Sequence, residues 1–235
     1  MDLDLERLAT LAPTHVLATT GQVGLPTRVV EMAERRRIVL ADLVYPNDLE
    51  EALGLIEAVG AALGRANRGA ALAGRVRAEL DGIAALTSAA AAEEGEGLPG
   101  VLMVFSTSPV MASGSGTVND AVLRIAGGEN AAGSSGGGVG VSAPIFDREG
   151  LRAAAPDVLV LMMPGAEPLS GVDDARLDVF RGLGLPAMEE ERVVLLNDPG
   201  VLLPGPSVSV TAASLAVALR PGLAEGVGGV FREAR

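Results

Sequence analysis

The sequence predicts an α/β protein with two lobes of parallel sheet joined by one long helix, the first lobe short. Three observations predict it. Short aliphatic runs alternate with helical patterns along most of the chain. Residues Asn67 to Ala92 form an uninterrupted stretch rich in Ala, Leu, Glu and Arg, long enough to pass from one lobe to another. A Ser/Gly-rich turn follows the apolar run at Val101–Phe105 and feeds an amphipathic segment, as at the carboxyl end of a strand in a nucleotide-fold sheet.

In chain order, Leu5, Leu8 and Leu11 give a helix over Leu3 to Leu11 that ends before Pro13. His15–Ala18 reads as a buried strand and Thr19–Pro26 as a Gly-containing loop. Thr27 is placed to cap a helix through Val30 to Arg36, and Arg37–Ala41 is a second strand. Pro46-Asn-Asp48 opens the next helix, capped by Asn47 or Asp48, with Glu50 and Glu51 favourably placed in its first turn. Leu49, Leu53, Ile56, Val59 and Leu63 mark its buried face.

The long helical stretch then runs to Ala92, and the charged, Gly-containing break Glu93–Pro99 marks a boundary. Residues 1–66 are thus the first lobe, 67–94 the connecting helix and 98–235 the second lobe. In the second lobe, strands are expected at Val101–Phe105, Val158–Met162 and Arg192–Leu196. Helices are expected at Val118–Ala126, Arg148–Ala154, Asp173–Leu183 and within Pro206–Leu219. Gly127-Gly128 reads as a helix stop and Gly133–Gly140 as a loop. Right-handed βαβ crossovers make both sheets parallel.

Composition excludes several functions. A net charge of −12 argues against nucleic-acid binding, which needs a basic stripe. With no cysteine there is no disulfide, thiolate nucleophile or Cys-ligated metal. Aromatic residues are 2% of the chain, so the core is aliphatic and a ligand pocket has few flat walls. No apolar run is long enough to span a membrane. There is no Gly-Lys-Ser/Thr phosphate loop, and His15, the only histidine, is far from any Gly-x-Ser-x-Gly. The expectation is a binding protein and not an enzyme; the alternatives are a cytoplasmic α/β protein and a degenerate paralogue that binds no ligand.

Certain segments, taken together in order, resemble a known family. They are Leu5–Ala18, Thr20–Pro26, Pro109–Asn130 with Gly-x-Gly-Thr and Ala-Gly-Gly-x-Asn, Ala155–Met163 with Pro-Asp before a strand, and Leu203–Ser207 followed by a helix to Pro221. The resemblance is to the solute-binding proteins of ABC importers for haem, iron–siderophore complexes and cobalamin. Met111-Ala-Ser-Gly-Ser-Gly-Thr117 and the Met162-Met163 strand end place it nearest the haemin-binding branch. The resemblance implies two Rossmann-like lobes joined by a rigid helix, with the ligand held between them and passed to a membrane-embedded permease. It also implies a periplasmic or extracytoplasmic location. The acidic Met-Asp-Leu-Asp-Leu-Glu-Arg start is not a signal peptide, and the family pattern enters part-way through the first lobe, beyond the tyrosine that haem-binding relatives carry.

Candidate ligand contacts follow. Ser113, Gly114, Ser115, Gly116 and Thr117 offer hydroxyls and N–H groups at a helix N-terminus to haem propionates or siderophore oxygens. The same residues also read as an ordinary capped turn. Arg28 is either a propionate partner or a solvated helix residue. Tyr45 and Met111 are either iron ligands or packing residues, and Met103, Met162 and Met163 read as core. His15 is either a ligand or a polar residue at a strand start. Glu167, Asp173 and Asp174 are candidates for docking the permease, with Glu31 or Glu34 serving in the first lobe.

Overall fold

The computed structural model describes residues 4–19, 24–95, 97–133 and 142–234. Residues 134–140 of the expected Gly133–Gly140 loop and the centre of the Thr19–Pro26 loop lie outside the described residues.

The chain begins with α1 (Leu5–Thr10), β1 (His15–Thr19), α2 (Thr27–Arg36) and β2 (Val39–Leu43). β1 and β2 pair in parallel, His15 opposite Val39 through Thr19 opposite Leu43. Thr27 is not a cap: the carbonyl of Pro26 accepts from the N–H groups of Val29 and Val30, so Thr27 is already the first helical residue. β2 starts two residues later than expected, because Arg37 closes α2 in a left-handed conformation (φ 56°). This small sheet rests on Met32, Ala33 and Ile38, with Leu5, Leu8, Val16 and Leu40 partly buried around them.

Two helices follow, α3 (Leu49–Ala62) and α4 (Ala66–Glu94). Asp48 caps α3 by accepting from the Glu51 N–H, while the Glu51 side chain accepts from the backbone N–H of Asn47, the residue before the cap. Leu53 and Ile56 are buried as expected. Leu63 is instead 44% exposed, in the turn past the helix end. The two helices form an antiparallel hairpin in which Gly60 and Gly69 touch: a Cβ on Gly60 would stand 2.7 Å from the Gly69 Cα. At 29 residues, α4 is about 43 Å long.

The second sheet is built from β3 (Gly100–Thr107), β4 (Val110–Ala112), β5 (Glu129–Asn130), β6 (Ile145–Phe146), β7 (Val158–Met162) and β8 (Val193–Leu196). Its order is β6-β4-β3-β7-β8, with β5 beside the first residues of β3. β5, β7 and β8 are parallel to their neighbours, as the βα alternation predicts. β4 and β6 are antiparallel, so the Met103–Thr117 segment is a hairpin before it is a turn. Pairing with β3 gives the Val110 and Ala112 backbone a partner and buries both side chains.

Alternate residues of β3 and β7 point to opposite faces. Val101, Met103, Val158, Val160 and Met162 join a core with α3, α4, α5 (Val118–Ile125), α8 (Val208–Leu219) and Val227 of α9 (Ala224–Glu233). Leu102, Val104, Leu159 and Leu161 join the other core, with Leu151 of α6 (Arg148–Ala154), Leu177, Phe180 and Ala187 of α7 (Pro186–Glu189).

The helix expected at Asp173–Leu183 is a 3-10 helix over Ala175–Phe180. Its three-residue period stacks Leu177 and Phe180 onto the sheet. Gly182 and Gly184, both at positive φ, then turn the chain away. The sequence pattern does not predict the short α7 or the C-terminal α9.

Candidate functional site

β1 and β2 run parallel, and so do β3, β7 and β8, so each sheet has a defined carboxyl end, the side where α/β folds take ligands. In the second sheet the loops after β7 and β8 are laced together. Met163 N–H donates to Leu196 O, Gly165 N–H to Asn197 O, and the Asn197 side chain to Ala166 O (2.9 Å). Arg176 extends the lacing, donating to the carbonyls of Glu167 and Pro168.

The Ser113–Thr117 turn leaves β4 and enters α5. Its first two residues are buried and spoken for. Ser113 N–H donates to Met103 O, its hydroxyl accepts from Asn119, and its carbonyl accepts from the buried Asn130 side chain at 3.1 Å. Gly114 N–H donates to Ser142 O. Asn130 also accepts from the Ala132 N–H, so one side chain locks both ends of the crossing.

Thr117 caps α5, accepting from the Asp120 N–H and donating to Gly114 O. Asp120 reaches back to accept from the Gly116 N–H at 2.9 Å, placing a carboxylate at the helix N-terminus. Its other oxygen is buried without a hydrogen-bond partner among the described residues. Ser115 is half-buried and Gly116 exposed, so the outer part of the turn is the part that faces solvent.

The other candidates are dispersed. Tyr45 is 53% exposed, two residues past the carboxyl end of β2, with Val44 beside it 75% exposed. Met111 is half-buried in β4, opposite Ser106 and Ile145. Arg28 is exposed near the start of α2. His15 opens β1, at its amino end, with Nδ1 2.9 Å from the Thr14 hydroxyl. Met103 and Met162 are core, and Met163 is partly buried.

Glu167 and Asp173 are exposed. Asp174 is bound to Arg176, Oδ2 lying 2.7 Å from Nη2 and Oδ1 2.8 Å from Nε. Hydrogen bonds from the Arg176 side chain, then from the backbone of Arg176 and Ser170, hold its carboxyl far below the usual carboxylate range. Glu31 lies 3.6 Å from Arg35, and Glu34 is exposed.

Among the described residues no three His, Asp or Glu side chains converge on a metal position, and no helix is long and apolar enough to cross a membrane. Sequence reasoning misses Asn130 and Asp120 as supports of the turn. Asn130 is visible as the last residue of Ala-Gly-Gly-x-Asn, but only the fold shows what it holds.

Two sheets containing parallel strands, a 29-residue helix and a small-residue turn at a helix N-terminus define a class of ligand-binding α/β proteins. Residues 1–199 match the periplasmic binding protein family, and the chain belongs to it. No curated protein matches.

Among solved structures, the apo periplasmic haem-binding protein RhuT of Roseiflexus sp. RS-1 is similar at a TM-score of 0.74 and 28% identity, over 94% of this chain and 80% of that one. A periplasmic haem-binding protein of Pseudomonas aeruginosa gives 0.69 and 27%, over 94% and 76%. The vitamin B12-binding protein BtuF of Vibrio cholerae shares the fold at 0.64 and 18%, over 94% and 79%.

Proposed function

We propose that this chain is the substrate-binding component of an ABC importer, and that it captures haem or a related iron or corrin complex and delivers it to the permease. The observation that carries this reading is the similarity, at 27–28% identity, to haem-binding periplasmic proteins over more than nine-tenths of the chain. In it, residues 1–66 and 98–235 are the two lobes and 67–94 the strut between them. A single continuous helix resists bending, so capture needs little lobe movement.

In this reading the ligand lies at the carboxyl ends of the strands. Ser115, Gly116, Thr117 and Arg28 meet its anionic edge, while Ser113 and Gly114 support the turn from beneath. Tyr45, a phenol at a strand end with half its surface open, is the residue to ligate iron, and Met111 is its alternative. Glu167 and Asp173 present carboxylates to the permease. Asp174 shapes their loop through Arg176.

The test is a haemin titration of the purified protein followed by its visible spectrum, with cobalamin and a ferric hydroxamate in parallel. A saturable Soret shift that Tyr45→Phe alters, and His15→Ala leaves unchanged, is the expected result. Binding of cobalamin or the hydroxamate alone replaces the cargo and retains the importer role. Binding of none of the three overturns the reading.

A further inference from the structure

An apolar groove of about 330 Å³ opens at the tip of the α3–α4 hairpin, and no residue of the Ser113–Thr117 turn lines it. Its walls are Ile56 and Val59 of α3, Leu72 of α4 and the Pro204-Gly205-Pro206 loop that leads into α8. The contact between Gly60 and Gly69 draws the two helices together beneath it. Among the described residues no aromatic side chain lines it, and its walls are aliphatic. The volume falls at the small end of ligand pockets, about 300–1,000 Å³.

Two cations stand on this groove. Arg65 and Arg68 both line it, both are exposed, and neither side chain has a hydrogen-bond or ion-pair partner among the described residues. Arg77, Arg124, Arg176 and Arg220 are matched to Glu50, Asp120, Asp174 and Glu94; among the described residues Arg7, Arg28, Arg37, Arg148, Arg152 and Arg232 also lack a carboxylate partner, but none of them lines this groove. Arg65 also occupies the N-cap of α4, where no side chain satisfies the helix N–H groups. Two unmatched cations therefore stand over an aliphatic slot, in a chain of net charge −12.

We infer that this groove is a second ligand site, for an aliphatic monocarboxylate, whose tail lies along Ile56, Val59, Leu72 and Pro204 while its carboxylate meets Arg65 and Arg68. A tetrapyrrole is a poor occupant, being broad and flat where the slot is small and without aromatic walls. The inference is independent of the importer reading, since it involves no metal and none of the residues assigned to the haem.

The experiment is calorimetric titration of the full chain with decanoate, and with decyltrimethylammonium as the same tail bearing the opposite charge. The chain's own charge favours the cation, so a preference for the anion must arise locally. Saturable one-to-one binding of decanoate is expected, weakened at least tenfold by Arg65→Ala with Arg68→Ala, and abolished by Val59→Phe, which fills the slot. Haemin is expected not to displace decanoate.

Equal binding of the two amphiphiles, an unaffected double variant, or displacement by haemin overturns the inference. So does a dimer in sedimentation that the double variant dissolves, which would make the groove a contact between copies. If haemin fails to bind and decanoate binds, the importer cargo falls and the groove stands.

Discussion

Ser209 Oγ donates a 2.6 Å hydrogen bond to Glu79 Oε2, joining residues 130 positions apart inside the protein. Glu79 sits on α4 and Ser209 in the first turn of α8, and both are buried. Among the described residues the other carboxylate oxygen has only Arg75, at 4.0 Å. Ser209→Ala therefore strips a buried carboxylate of its close donor, which costs about 1–3 kcal/mol. Urea unfolding of the variant checks this, and Glu79→Gln in the same background should restore part of the loss. An unchanged midpoint would contradict it.

Asn130 is the pin of the turn at Ser113–Thr117. Its side chain satisfies one buried carbonyl and one buried N–H, on Ser113 and Ala132. Asn130→Ala leaves both unpaired, with an expected cost of about 1–3 kcal/mol. Hydrogen exchange should show the Ala132 amide losing protection while the α4 amides keep theirs.

The α3–α4 contact distinguishes glycines of the same helix. A Cβ at Gly69 would lie 3.0 Å from Gly60 Cα, backbone against backbone. Gly69→Ala should destabilise by about 1–3 kcal/mol through overpacking. Gly74 is exposed on the same helix, and a Cβ there would meet nothing within 4 Å. Its conversion to Ala should instead gain about 0.5–1 kcal/mol. Thermal melts of the two variants are expected to move in opposite directions.

The Asp174–Arg176 pair sets a pH dependence. The folded carboxyl titrates below its unfolded value, which is about 3.9. The folded state therefore binds fewer protons, and the pair contributes fully above about pH 4 and progressively less as the pH falls below it. Asp174→Asn should lower the melting temperature by the same amount at pH 7 and pH 5, and by less at pH 3. A difference that grows on acidification would contradict the assignment.

Much of this architecture is legible in the chain. Asp48 and Thr117 announce helix starts, Gly127-Gly128 a helix stop, and the aliphatic runs at Val101, Val158 and Val193 become neighbouring parallel strands. The departures lie where a distant partner decides the outcome. Val110–Ala112 has no strand signal beyond its small apolar residues and becomes a strand because the edge of β3 is there to pair with. Ala175–Phe180 has helical spacing, yet the Arg176 bonds to Asp174, Glu167 and Pro168 hold its start in a tighter form.

The candidate site divides the same way. Sequence alone marked the Ser113–Thr117 turn, the Tyr45 phenol and the long helix, because caps, turns and helical periodicity are short-range hydrogen-bonding and burial preferences written in neighbouring residues. Only the tertiary structure decided that Ser113 is consumed by Asn119 and Asn130, that Glu79 is buried against Ser209, and that Arg65 and Arg68 stand over an aliphatic groove. Those relationships depend on surfaces far apart in the chain meeting at fixed distances, and long-range packing is what sets them.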